Sequence, residues 1–285
     1  MSPKITVLGA TGMLGHMVAK HMTEIYGVEN VVRSSSSRAQ WTPLAEAPNE
    51  RWIEFHLPMT SDFQLCKIPP DTDYVINCIG VIKPFIGSTG IVDTIYINSI
   101  FPHVLAEYCK QQGMKLIHIT TDCVFSGHQV MGEYIESDEH DVTDIYGRTK
   151  SLGEPKNKAM VLRTSIIGRE IHKQASLVAW VQLQAGREVN GFTNHTWNGI
   201  TTKTYAKCCQ QIIDFDMYEE GIYHIFSPSS VTKCQLVTMI SDALDLGVKV
   251  NPTEAPKAIH RTLSTIHQLC GKLLIPELFE QLKEL

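Results

Sequence analysis

Apolar residues gather in short β-branched runs separated by stretches of helical spacing. Lys4–Leu8 is the first such run and ends in glycine. Residues 13–26 then place Leu14, Val18, His21, Met22 and Ile25 on or near one helical face. Asn30–Val32 and Trp52–Phe55 predict further strands, and a polar serine-rich loop, Arg33–Arg38, lies between them. Tyr74–Ile79 predicts a buried strand set up by the turn-like Pro69-Pro70-Asp71. Ile97–Gln112 predicts a helix closed by Gly113, followed by a strand at Lys115–Thr120. A helix reaching Glu154 must bend or stop at Pro155, and Ala159–Ile167 predicts another strand.

Strands alternating with helices predict an α/β fold, a Rossmann-type doubly wound parallel sheet covered on both faces. After Gly168 the pattern breaks into helices, turns and short strands. The expected division is a nucleotide-binding domain over residues 1–167 and a smaller C-terminal α/β lobe over 168–285, with interleaving of the two left open. A length of 285 residues with 43% hydrophobic content is enough for one such core plus an appendage. The net charge of −5 gives no general basic field, so neither nucleic acid nor an anionic membrane is an expected partner. The eight cysteines include no CxxC pair and no zinc-like spacing, so no metal is expected and the thiols read as buried in a reducing compartment. No apolar run approaches the ~18 residues of a membrane span. The first strand starts too early for a signal peptide, and the expectation is a cytoplasmic protein.

Gly9-Ala10-Thr11-Gly12-Met13-Leu14-Gly15 lies at the turn from first strand to first helix. Glycines at 9, 12 and 15 allow a tight turn, close approach of a pyrophosphate and packing of the helix on the sheet, with the helix N–H groups facing the phosphates. Gly9, Thr11, Gly12, Met13 and Leu14 are therefore candidate dinucleotide contacts. An NAD-binding fold usually carries an acid about 20 residues past this loop. Here Arg33 stands there instead, and no Asp or Glu occurs from Val31 to Ala45. A guanidinium suits a 2′-phosphate, which predicts NADPH, with NADH the alternative.

Tyr146 and Lys150 are four apart and share a helical face. A nearby ammonium lowers a tyrosine pKa, and a phenol so placed can protonate the alkoxide that forms when a ketone accepts hydride. Thr121, at the carboxyl end of the Lys115–Thr120 strand, can hold the carbonyl, although Thr-Asp here also suits a turn or cap.

These residues together resemble the extended short-chain dehydrogenase/reductase family, and within it the dTDP-4-dehydrorhamnose reductase group, over nearly the whole chain. Ile119–Gly127 is similar to that group's strand bearing the catalytic Thr, and Arg163-Thr164-Ser165 to the strand after the catalytic helix. Asn194-His195 and Thr201 depart from its Asp-Gln and Pro-Thr. Arg261-Thr262 resembles its late Arg-Pro segment. The resemblance implies that Thr121 orients the carbonyl, Tyr146 donates the proton, and Lys150 holds the nicotinamide ribose and tunes Tyr146. It implies that Cys78, Ile79 and Gly80 flank the cofactor and that Cys123, Asn194, His195 and Arg261 face the substrate. The implied activity is NADPH-dependent reduction of the C4 ketone of a nucleotide-linked 4-keto-6-deoxyhexose, with a homodimer as the candidate assembly. Two alternatives stay open. In the related GDP-fucose synthase a cysteine at the Cys123 position handles a proton beside the ketone, so the chain can be read as a 3,5-epimerase and 4-reductase, with His195, His172 or Lys173 returning the proton. It can also be read as a non-catalytic dinucleotide-sensing subunit.

Overall fold

The computed structural model describes residues 2–37, 49–58, 62–128, 132–172 and 174–285. Its centre is a parallel sheet of seven strands. These are β1 (Ile5–Leu8), β2 (Val31–Ser35), β3 (Arg51–Glu54), β4 (Tyr74–Asn77), β5 (Lys115–Thr121), β6 (Met160–Thr164) and, much later in the chain, Gly221–His224. The spatial order runs from Gly221–His224 through β6, β5, β4, β1 and β2 to β3. The order reverses between β1 and β4, and a crevice opens there above the carboxyl ends of the strands.

Strand alternation sends successive side chains to opposite faces. Ile76 and Ile117 point into a core with Val18 and Met22 of α1 (Met13–Tyr26), whereas Val75 and Leu116 meet Phe101 and Leu105 on the other side. Both faces are buried, which is why the strands are continuously apolar. Residues 91–112 form one helix with a π turn at Tyr96–Ile100, and its last part is α2 (Phe101–Gln112). Pro102 has no N–H to give to the carbonyl four residues back, that of Asn98, and the π turn sits at this break. Gly153, just past α3 (Ile145–Leu152), passes so close that a Cβ there would lie 1.9 Å from the freed Asn98 oxygen.

The chain beyond residue 168 is divided between both bodies. β7 (Ile166–Ile167) leads into α4 (Leu177–Gln182), β8 (Glu188–Phe192) and β9 (His195–Trp197), then β10 (Ile200–Thr201) pairs back on β7. α5 (Thr202–Asp214) packs on the main core through Tyr205 and Ile212, and Gly221–His224, now β11, extends the seven-stranded sheet. The lobe proper contains β8, β9, β12 (Val231–Thr232), α6 (Lys233–Ala243), β13 (Lys249–Thr253), β14 (Ile259–Arg261) and α7 (Leu278–Leu282). Its own core includes Trp197, Leu236, Ile240 and Leu278. Residues 202–224 thus return to the first half, and the two halves interleave rather than meet at a single boundary. Among the described residues, no helix is long and apolar enough to cross a membrane.

Candidate active site

One cleft of about 800 Å³ runs from the β1–α1 loop past the ends of β4 and β5 to β9 and β14 of the lobe. Its floor is the glycine loop. Gly9 adopts a φ of +80°, which a side chain resists. Its N–H donates to Ser34 Oγ at 2.9 Å, and its carbonyl accepts from Gly12 N at 3.0 Å. A Cβ on Gly15 would lie 2.1 Å from the Gly9 oxygen, so only glycine lets α1 start this close to the turn. The helix begins at Gly12 with no side-chain cap, leaving its first N–H groups directed into the cleft. Gly9, Thr11, Gly12, Met13 and Leu14 all line it. The buried Thr120 hydroxyl, also on the lining, has no hydrogen-bond partner. The uncapped helix start, the cradle that a Cβ would fill and this orphaned hydroxyl fit a dinucleotide.

Arg33 is elsewhere. Its side chain leaves β2 on the face away from the cleft, pairs with buried Glu50, donates to Thr23 Oγ1 at 3.1 Å and lies 5.8 Å from the Trp52 ring centre. The sequence expectation of a 2′-phosphate clamp at Arg33 fails here because strand alternation turns residue 33 into the core and residue 34 towards the cleft. Ser34, Ser35 and Ser36 line the cleft instead. Arg38, the other arginine of that loop, lies outside the described residues, as does Lys173.

The wall is β4 and the segment after it. Cys78, Ile79 and Gly80 line the cleft, and burial pushes the Cys78 thiol up to about 12. Asn98, in the π turn, holds this segment. Its side-chain oxygen accepts from Val81 N at 2.8 Å, and its amide donates to Val81 O at 2.9 Å and to Thr149 Oγ1 at 3.2 Å. Ser99 adds a bond to Thr149 O at 2.8 Å. One residue therefore fastens the cleft wall to α3. Asn98 was not singled out from sequence; the nearby Pro102, four residues on inside a helical run, is the signal that marks a break there.

α3 carries the reacting groups. Asp144 caps it, accepting from Gly147 N at 3.0 Å, and also takes Lys83 Nζ at 2.9 Å. Gly147 sits where a Cβ would be 2.3 Å from Cys123 O, so the helix rests directly on the turn after β5. That turn brings Thr121, Tyr146 and Lys150 onto one stretch of cleft. Thr121 Oγ1 accepts from Cys123 N and donates to Asp122 Oδ1, both at 3.1 Å, so Thr121 caps the turn and faces the cleft at once. Lys150 is buried and donates to Ile119 O at 3.2 Å. Burial lowers its pKa to about 8, against the pull of Glu154 and Cys78. Tyr146 shifts the other way. Burial and the negative potential of Cys123, Asp122 and Asp144 raise it, while a hydrogen bond with Thr121 pulls it down. Burial thus outweighs the lowering expected from Lys150, whose ammonium donates to the Ile119 carbonyl, and the phenol stays protonated.

Past the reacting groups the cleft is closed by Cys123, His195 and Arg261. Arg261 donates from Nε to Phe125 O at 2.9 Å and from Nη2 to Ser126 O at 3.1 Å, with Nη1 4.0 Å from Cys123 Sγ. Burial and Asp122 push the Cys123 thiol up to about 12 despite Arg261 and Lys83. The His195 ring lies 4.9 Å from that of Phe192, and Nε2 donates to Lys257 O at 3.1 Å. Asn194 is not on the cleft. Both ends of its amide are taken by Ala255, at 2.8 and 2.9 Å, because it ties β9 to the segment before β14. Lys233, unnoticed in the sequence, does line the cleft at the start of α6.

Residues 3–265 match the sequence pattern of the RmlD substrate binding domain. The chain belongs to that family. Within it, the chain is 27% identical over 282 residues to dTDP-4-dehydrorhamnose reductase of Mycolicibacterium smegmatis, covering 93% of this chain and 79% of that protein. A probable low-salt glycan biosynthesis reductase, Agl14 of Haloferax volcanii, is 28% identical over 238 residues, 79% of this chain and 75% of its own. Methionine adenosyltransferase 2 subunit beta of Rattus norvegicus is 26% identical over 257 residues, 86% and 73% of the two chains. The fold is also that of dTDP-4-dehydrorhamnose reductase from Bacillus anthracis in complex with NADP, with a TM-score of 0.76, 19% identity and 99% and 98% of the chains covered.

Proposed function

We propose that this family member is an NADPH-dependent oxidoreductase that reduces the C4 ketone of a nucleotide-linked 4-keto-6-deoxyhexose. The observation that carries the reading is the meeting of Thr121, Tyr146 and Lys150 at the end of a cleft whose floor is the glycine loop. The relatives named as reductases support the same chemistry. When bound, the nicotinamide supplies the hydride. The uncapped start of α1 and the Gly9–Leu14 loop would hold the pyrophosphate, and Lys150, fixed on Ile119 O, would contact the ribose. Ser34, Ser35 and Ser36, rather than Arg33, line the part of the cleft where the adenosine ribose would bind, and none of the three carries a carboxylate that would repel a 2′-phosphate. Thr121 orients the ketone, and the protonated phenol of Tyr146 gives its proton to the alkoxide oxygen.

The sensing-subunit reading draws on the relatives named as subunit beta of methionine adenosyltransferase 2. The epimerase reading needs a Cys123 thiolate at neutral pH, which a thiol pushed up to about 12 does not provide. One experiment separates all three. The protein is incubated with NADPH and dTDP-, UDP- and GDP-linked 4-keto-6-deoxyhexoses in deuterated buffer, and the products are identified. A simple reductase oxidises NADPH with at least one sugar and leaves C3 and C5 unlabelled. Deuterium at C3 or C5 makes it an epimerase as well, and no oxidation with any sugar removes the enzyme reading.

A further inference from the structure

Two cations in the cleft make no close ion pair among the described residues, although the Asp122 carboxylate lies near both. Arg261 donates only to backbone carbonyls and faces a thiol, and it makes no ion pair among the described residues. Lys233, half-buried, makes neither hydrogen bond nor ion pair among the described residues. Its place is firm. Thr232 caps α6 by accepting from Gln235 N, Gln235 Oε1 accepts in return from Thr232 N at 2.8 Å, and β12 pairs Thr232 with Thr196. The lysine therefore enters the cleft from a doubly anchored point, opposite Asp122, Cys123 and Arg261, all close enough for their charges to interact with it. The other charged groups are already used. Lys150 donates to Ile119 O, and the Glu170 carboxylate accepts from Ala175 N and Ser176 N at 2.7 and 2.6 Å. Asp122 is the one carboxylate near both cations, and its burial raises its own pKa. Two cations facing one carboxylate leave an excess of positive charge in a partly dry cleft, which is costly until an anion arrives.

We propose that Lys233 is a substrate-contacting specificity residue which, with Arg261, holds an oxyanion of the substrate beside Thr121 and Cys123, at the reacting end of the cleft. This deepens the nucleotide-sugar reading and rests on it. The oxyanion is either the sugar-bound phosphate or a carboxylate on the sugar carbon next to the reacting one. In the second case C6 of the substrate is a carboxylate rather than a methyl group. Lys233 is a better probe than Arg261, because removing Arg261 also frees the carbonyls of Phe125 and Ser126.

The test is ligand binding by calorimetry to the full chain saturated with NADP⁺, comparing the unmodified protein with Lys233→Met and Lys233→Arg. The probes are the nucleoside diphosphate, its glucose ester and its glucuronate ester, each in the uridine, deoxythymidine and guanosine series. A charge-assisted contact predicts that Lys233→Met raises Kd by about 10–100-fold and that Lys233→Arg recovers most of it. NADP⁺ affinity and Tm should stay unchanged in both variants. A loss shared by all three probes identifies the phosphate, and a loss confined to the glucuronate ester identifies the carboxylate. Unchanged Kd values for every probe overturn the proposal, and so does an equal loss of NADP⁺ binding, which makes Lys233 a structural prop. If the unmodified protein binds no probe in any series, the nucleotide-sugar reading itself falls. Binding that is retained equally by Lys233→Met removes only the role of Lys233.

Discussion

Tyr146→Phe deletes one oxygen from a ring that keeps its packing against the turn after β5. Lys150 and the glycine loop are untouched, so NADPH affinity should change little. The alkoxide loses its proton donor, and kcat should fall about 10²–10⁴-fold in stopped-flow or steady-state reduction. Near-normal turnover would move the proton source elsewhere, with the protonated thiol of Cys123 next in line. Lys150 makes a separate prediction. Its ammonium titrates at about 8, so NADPH affinity should be greatest below that pH and weaken as pH rises through it. Lys150→Met should bind NADPH more weakly and show no such pH dependence, which a fluorescence titration across pH 6.5 to 9.5 measures. Thr121, Tyr146 and Lys150 were legible because the spacing of a strand end and a helix turn carries their chemistry. Arg33 was misread because its residue type alone does not tell which face of β2 it takes. The pair with Glu50 depends on a partner 17 positions on, at the entry to β3, that no local pattern announces.

Elements position these groups, and the helix over residues 91–112 shows how. Its amphipathic spacing and the closing Gly113 were readable, and the start of the helix was not, since the π turn breaks the 3.6 period that reveals helices. The same turn aims Asn98 at Val81 and Thr149. Asn98→Ala leaves Val81 N–H and C=O buried without partners, a cost of about 1–3 kcal/mol. The expected outcome is a lower Tm together with a weaker grip on NADPH, because the Cys78–Gly80 wall is no longer tied to α3. Hydrogen exchange locates the effect: the Val81 amide should exchange much faster, while amides in β13 and α6 stay as they were. Uniform acceleration through the lobe would mean that Asn98 supports the whole fold instead of the wall.

At the scale of the whole molecule, the interleaving of the two halves is secured by a buried charge cluster that the sequence shows only as scattered polar residues. Arg163 of β6 is fully buried and pairs with Glu154, Nη2 to Oε2 at 2.8 Å and Nε to Oε1 at 3.2 Å. Two more of its five N–H groups go to His224 Nε2 of β11 at 2.8 Å and to His140 Nε2 at 2.9 Å. A guanidinium can only donate, so both imidazoles accept at Nε2 and carry their proton on Nδ1, which reaches Ser264 O and Ser151 Oγ. β6, β11, the exit of α3 and the segment after β14 are thereby joined through one side chain. Burial, and after it the Arg163 charge, hold both histidines below their ordinary pKa, with Glu154 pulling both back up and Glu136 also pulling on His224. The unfolded chain takes up protons there near pH 6.5, whereas the folded protein resists until a lower pH. Stability should therefore fall as pH drops below about 6.5 and stop falling on this account once the folded histidines titrate too. His224→Gln can keep an acceptor for Arg163 and has nothing to titrate. Urea unfolding at pH 8, 6, 5 and 4.5 should show a shallower acid-side decline for this variant than for the unmodified protein, with the two curves closest in shape above pH 7. Parallel curves throughout would place the acid sensitivity in other groups. Arg163→Met is the complementary extreme: it strands the Glu154 carboxylate in the interior and should cost about 3–5 kcal/mol at any pH where that carboxylate is charged.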